Sequence, residues 1–68
     1  MTMFRALLEA LTEGFAVQLR PYVGKVIVDM WIKRNDKDYY FNKVCSMDEK
    51  EIGEAIDYIK ASIKEVME

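Results

Sequence analysis

Residues 25–45 read KVIVDMWIKRNDKDYYFNKVC, and on either side of Asn35-Asp36-Lys37-Asp38 the polarity of this stretch alternates with a period of two. A pleated strand sends successive side chains to opposite faces, so this period is the signature of a strand with one face buried. Val26, Val28, Met30 and Ile32 fall on one face of the first run, and Ile27, Asp29, Trp31 and Lys33 on the other. The Asn-Asp-Lys-Asp interruption is rich in residues that tolerate tight-turn geometry. The two runs are therefore predicted to form an antiparallel hairpin, with strand two over 25–34 and strand three over about 39–45.

Working outward, residues 15–20 also alternate, with Phe15, Val17 and Leu19 opposite Ala16, Gln18 and Arg20, and are predicted as strand one. Pro21 and Gly24 punctuate the turn that follows, because proline lacks the N–H that a central strand needs. Upstream, Phe4, Leu7, Leu8 and Leu11 recur at helical spacing with Met3 and Ala10 beside them, and Gly14 stands where a helix commonly ends. A first helix over about 3–13 follows. Downstream, Ser46-Met47-Asp48-Glu49 has the spacing of a capping box, and Asp48 and Glu49 complement the positive end of a helix dipole. Ile52, Ile56, Ile59, Ile63 and Val66 then mark one face of a long second helix reaching about Met67. Gly53 within it would permit close approach to the sheet or to the first helix. The predicted fold is a single α+β domain over 1–68, ordered α-β-β-β-α, with a three-stranded antiparallel meander and both helices packed on one face.

Composition narrows the function classes. The chain has 68 residues, 51% hydrophobic and 32% charged, as expected of a folded domain with a single core. A lone cysteine, Cys45, cannot form an internal disulfide, and no histidine is present to supply the commonest transition-metal ligand. Without those staples a chain of this size gains most from association. Nothing at the N-terminus resembles a secretory signal and no stretch has the length of a membrane span, so a cytoplasmic setting without membrane contact is expected. The net charge of −2 is unevenly spread. Residues 1–13 hold Arg5 against Glu9 and Glu13; residues 14–45 hold six bases against Asp29, Asp36 and Asp38; residues 46–68 hold three lysines against seven acids. The segments thus carry −1, +3 and −4.

The face of the sheet opposite the helices is the leading candidate site. Ile27, Trp31, Tyr40 and Val44 cluster there among charges that include Lys33, an arrangement typical of rigid aromatic anchors inside a polar rim. A bland alternative is that Trp31 and Tyr40 form a cross-strand pair that serves only the hairpin. A second candidate is the acidic start of the second helix, where Asp48, Glu51 and Glu54 could face a basic partner, although acids at a helix start are routine. A third is nucleic acid, since Trp31, Tyr39, Tyr40 and Phe41 lie near Lys33, Arg34, Lys37 and Lys43, and aromatics among bases stack unpaired nucleotides. Catalysis has no support: there is no histidine base, phosphate loop or nucleophile elbow. Cys45, on the helix-covered face, reads as a small core residue. No cofactor is expected.

The element order matches double-stranded-RNA-binding domains, but Met47-Asp48-Glu49-Lys50-Glu51 is acidic where that family places lysines for phosphate. The layout of a short first helix, Gly14 to Leu19, the long strand 26–34, the Asn35-Asp36 turn, an aromatic third strand and an acid-capped helix also resembles small phage-encoded proteins of the anti-CRISPR inhibitor type. That resemblance implies a non-catalytic inhibitor in the host cytoplasm that presents acidic surface to a nuclease's DNA site. The bases around the hairpin turn depart from that acidic pattern. The sequence therefore reads as a protein-protein interaction module, with a second copy of itself as one expected partner and nucleic-acid binding as the alternative.

Overall fold

The computed structural model describes residues 2–68, so Met1 lies outside it. Helix α1 (Met3–Thr12) leads into strands β1 (Ala16–Tyr22), β2 (Lys25–Arg34) and β3 (Lys37–Ser46), and helix α2 (Glu49–Met67) closes the chain. The sheet is antiparallel in the order β1-β2-β3. The fold is α+β in the predicted order, with both helices on one sheet face.

The core lies between the layers. Val26, Val28, Met30 and Ile32 of β2 meet Ile52, Ala55, Ile56, Ile59 and Ile63 of α2, Ala6 and Ala10 of α1, and Phe15, all buried. Val17, Tyr39, Phe41 and Cys45 pack at its margin. Thr2 caps α1 by accepting from the Arg5 amide at 3.4 Å. At the other end Gly14, at φ +98, lets the Phe15 amide reach the Ala10 carbonyl at 3.0 Å and the Gly14 amide reach Leu11 at 3.1 Å, the paired bonds of a Schellman motif.

Four boundary or burial expectations are corrected. The β2–β3 turn is two residues, Asn35-Asp36, both left-handed (φ 52 and 64), and Lys37 and Asp38 already pair with Arg34 and Lys33. The β1–β2 turn is Val23-Gly24 (φ 44 and 79), so Pro21 lies within β1, opposite Val26. In a two-residue hairpin the flanking pair is hydrogen-bonded and the next is not. Pro21 thus occupies a position whose N–H would point out of the sheet's open edge, where its absence removes no ladder bond. The cap of α2 is Asp48 instead of Ser46: its carboxylate accepts from the Glu51 amide at 3.1 Å, and Glu51 accepts from the Ser46 amide at 3.4 Å. Ser46 is held in β3 opposite Lys25, which moves the cap two residues on.

The fourth correction concerns exposure. Small Ala6 and Ala10 bring α1 against α2, with Glu9 and Glu13 reaching Lys60 and Glu13 also pairing with Lys64. This turns Phe4, Leu8 and Leu11 toward solvent. Because α1 packs mainly on α2, the outer strand is thinly covered and Leu19 remains half-exposed. Val66, near the end of α2, is exposed as well. Among the described residues no helix is long and apolar enough to cross a membrane.

Val23 is a β-branched residue at φ 44 and is 91% exposed, so nothing in its packing offsets a left-handed backbone. That conformation costs L-residues roughly 1–2 kcal/mol, and asparagine is the residue such turns favour. Val23→Asn is expected to stabilise the fold by about 1 kcal/mol and to raise the melting temperature by several degrees. Urea and thermal unfolding check this, and an unchanged or lowered stability would show that the turn holds no strain.

Candidate functional site on the open sheet face

The register brings the open-face candidates together. Ile27 pairs with Val44, Asp29 with Asn42, Trp31 with Tyr40 and Lys33 with Asp38. From the other side β1 sets Arg20 beside Ile27, Gln18 beside Asp29 and Ala16 beside Trp31. The Trp31 and Tyr40 rings lie 6.2 Å apart at a 47° tilt, a centroid distance within the range of favourable aromatic pairs. Trp31 is 40% exposed, Tyr40 53% and Val44 44%; Ile27 is half-buried and Lys33 exposed. Trp31 therefore lies on the side away from the helices.

At the centre of this uncovered face, Asp29 is only 2% exposed. Its own neighbours bury it. Arg20 grips the carboxylate with two donors, Nε to Oδ2 at 2.5 Å and Nη2 to Oδ1 at 3.0 Å. The Tyr40 hydroxyl donates to Oδ1, and Asn42 Nδ2 donates to the Tyr40 oxygen at 3.1 Å. Hydrogen bonds from Arg20, opposed by burial and assisted by Tyr40, hold the Asp29 carboxyl below its ordinary range. A buried charge is tolerated only when paired and hydrogen-bonded. Among the described residues no buried side-chain polar atom lacks a partner.

Sequence reasoning placed Asp29 on this face without seeing its role. The signal was present: aspartate is depleted in strands, and this one stands mid-strand between Val28 and Met30. Only the two-residue turns, which set the register, bring Arg20 and Tyr40 within reach.

The acidic candidates occupy the helix layer, away from this face. Asp48 and Glu51 are engaged in capping. Glu54 lines a groove of about 390 Å³ between β3 and α2, with Lys25, Lys43, Cys45 and Tyr58 among its walls. The Lys43 ammonium lies 4.7 Å from the Tyr58 ring centre. Burial, reinforced by Glu51, pushes the Cys45 thiol up, which keeps it protonated at neutral pH and weakens it as a nucleophile. Among the described residues no group of three or more potential ligands could hold a metal ion. The aromatic and basic residues suggested for nucleic acid are split between faces: Tyr39 and Phe41 pack against the core, whereas Trp31, Tyr40 and Lys33 lie on the open face. Arg34 donates to the Glu13 carbonyl at 2.9 Å. Comparison with family models, curated proteins and solved structures found no match to this chain.

The folded-state pKa of Asp29 is lowered, so its contribution to stability is complete above the ordinary aspartate pKa of about 3.9 and is lost as pH falls toward the folded value. Arg20→Gln removes the largest downward influence on Asp29 and so narrows the gap between its folded and unfolded pKa. The variant is then expected to be less stable at neutral pH, with a deficit that shrinks as pH falls through the aspartate range, so that its acid limb is flatter. Glu13, lowered by its bonds to Lys64 and Lys60, is untouched by this change and serves as the internal reference. Urea midpoints measured from about pH 2 to pH 7 check the flattening, and acid limbs of equal amplitude would mean that Arg20 does not govern Asp29.

Proposed function

We propose that this chain is a non-catalytic protein-binding module whose contact surface is the open sheet face around Ile27, Trp31, Tyr40 and Val44, with Lys33 on its rim. The observation that carries the reading is an exposed aromatic and aliphatic cluster built around a carboxylate that is already dry. Partner docking normally has to strip water from buried polar groups. Here Asp29 is desolvated and paired on folding, so covering the face adds no such term for it.

The anchors are also held in place before binding. Tyr40 is fixed at its ring by Trp31 and at its hydroxyl by Asp29 and Asn42. Ordering a rotamer-rich side chain costs about 0.5–1.5 kcal/mol on association, and pre-fixed side chains avoid most of that cost. Trp, Tyr and Arg are the residue types that dominate interface energetics, and all three meet on this face. The acidic start of α2 supports a binding role less well, because two of its three candidate carboxylates are engaged in capping.

Tagged protein exposed to nuclease-treated extract of its source cell tests the reading. The partner retained by the unaltered chain should be lost with Trp31→Ala, reduced at least tenfold, and kept with Lys50→Ala on the exposed side of α2. Circular dichroism verifies that both variants are folded. Equal retention by the Trp31→Ala variant would remove the open face as the binding surface. Salt-sensitive binding of a labelled single-stranded oligonucleotide would favour the nucleic-acid alternative instead.

A further inference from the structure

The structure assigns a second interaction surface, the outer edge of β3, and we propose that it pairs antiparallel with the same edge of a second copy to make a continuous six-stranded sheet. This does not rest on the role proposed for the open face. Both outer strands of the meander present unpaired backbone edges, but they differ in protection. Strand β1 is seven residues long and carries Pro21, which removes an outward donor. Strand β3 is ten residues long, has no proline and pairs with β2 without a bulge from Lys37 to Ser46. Natural sheets blunt exposed edges with proline, charge or bulges because a long bare edge is a pairing template. The lysine in the middle of β3, Lys43, is turned over the Tyr58 ring on the helix side.

The register identifies the groups on offer. The two-residue turn makes Arg34 and Lys37 a hydrogen-bonded pair, and the alternation that follows sends the backbone groups of Lys37, Tyr39, Phe41, Lys43 and Cys45 toward β2. Those of Asp38, Tyr40, Asn42, Val44 and Ser46 point outward. Ser46 is already satisfied, its amide by Glu51 and its carbonyl by the Asp48 amide at 2.8 Å. No hydrogen bond among the described residues takes up the outward groups of the other four.

Two-fold pairing of a strand with itself must keep facing side chains on the same sheet face, so the axis passes through a residue. An axis at Tyr40 sets Lys37 against Lys43 of the second copy, a like-charge pair. An axis at Asn42 sets Asp38 against the already satisfied Ser46. An axis at Phe41 pairs Asp38 with Val44 and Tyr40 with Asn42, and closes all the outward groups of both copies in about eight hydrogen bonds. It also stacks Phe41 beside its counterpart and Tyr39 beside Lys43, with no like charges opposed.

Three measurements test this in the full chain. Size-exclusion chromatography with light scattering over about a hundredfold range of concentration should show a monomer passing to a dimer. Asn42→Pro deletes an outward N–H without touching a β2–β3 ladder bond, and should weaken the dimer at least tenfold while circular dichroism stays unchanged. Phe41→Cys in a Cys45→Ser background should form an intermolecular disulfide on mild oxidation, because non-hydrogen-bonded antiparallel partners lie about 4.5 Å apart at Cα. Leu19→Cys on β1 should not. A chain that stays monomeric throughout, a dimer indifferent to Asn42→Pro, or Phe41→Cys cross-linking no faster than the Leu19→Cys control would each overturn the proposal. If Asn42→Pro fails to fold, the cross-link still decides. Trp31→Ala, on the central strand, should leave the dimer intact, which separates this edge from the open face.

Discussion

Both hairpins turn through two residues, and the layout of the sheet's faces and edges descends from that shortness. A two-residue turn with both residues left-handed permits one pairing of the strands it joins. Val23-Gly24 therefore locks Tyr22 to Lys25, and Asn35-Asp36 locks Arg34 to Lys37. From those two pairs the whole sheet is counted out. A shift of one residue would move every side chain to the other face, exposing Met30 and Val28 and burying Lys33. The same count decides which backbone groups face a neighbouring strand and which face solvent, and so why Pro21 is tolerated and why Ser46 is free to meet Glu51.

The register also assembles the polar centre of the open face. Arg20, Asp29, Tyr40 and Asn42 come from three strands and touch only because Asp29 stands opposite Asn42 on one side and Gln18 on the other. A partly buried ion pair is a weak source of net stability, since the desolvation of two charges offsets most of their attraction. Its effect here is geometric. Arg20 and Tyr40 are drawn inward over Asp29, and Trp31 is left standing against the Tyr40 ring. A face made of long, mobile side chains becomes a fixed relief.

The fold was legible in the sequence because its strands alternate cleanly and its second helix repeats isoleucine at steps of four and three. The open-face set was legible for the same reason, since Ile27, Trp31, Tyr40 and Val44 share a parity that periodicity alone reveals. What escaped depends on contacts between elements. The leucines of α1 flank two sides of the helix, and their spacing does not say that the alanines between them are the buried ones; that follows from the close approach to α2. Pro21 read as a strand end because its outward direction requires the register. Ser46 and Asp48 are both good caps, and the choice between them depends on how far the β3 ladder extends. Asp29 was visible as an anomaly, but Arg20, nine residues away, becomes its partner only across the first hairpin.

The charge partition noted along the chain becomes a partition between layers. Residues 14–45, carrying +3, form the sheet with its connections, whereas the segments at −1 and −4 form the helices. The helices bind to each other partly through their own charges, Glu9 and Glu13 against Lys60 and Lys64, so much of the opposite charge is used within the helix layer. The open face then presents Arg20 and Lys33 around an apolar centre, with Asp29 already neutralised and Asp38 beside Lys33. On the proposed reading, such a surface would discriminate by its centre more than by its rim. Exposed rim charges are screened within about 8 Å at physiological salt, whereas the aromatic pair and its aliphatic neighbours must be matched in shape before water leaves them. Selection by shape suits a protein surface better than a polyanion, because a phosphate backbone rewards dispersed positive charge and this face keeps its positive charge at the margin and half neutralised.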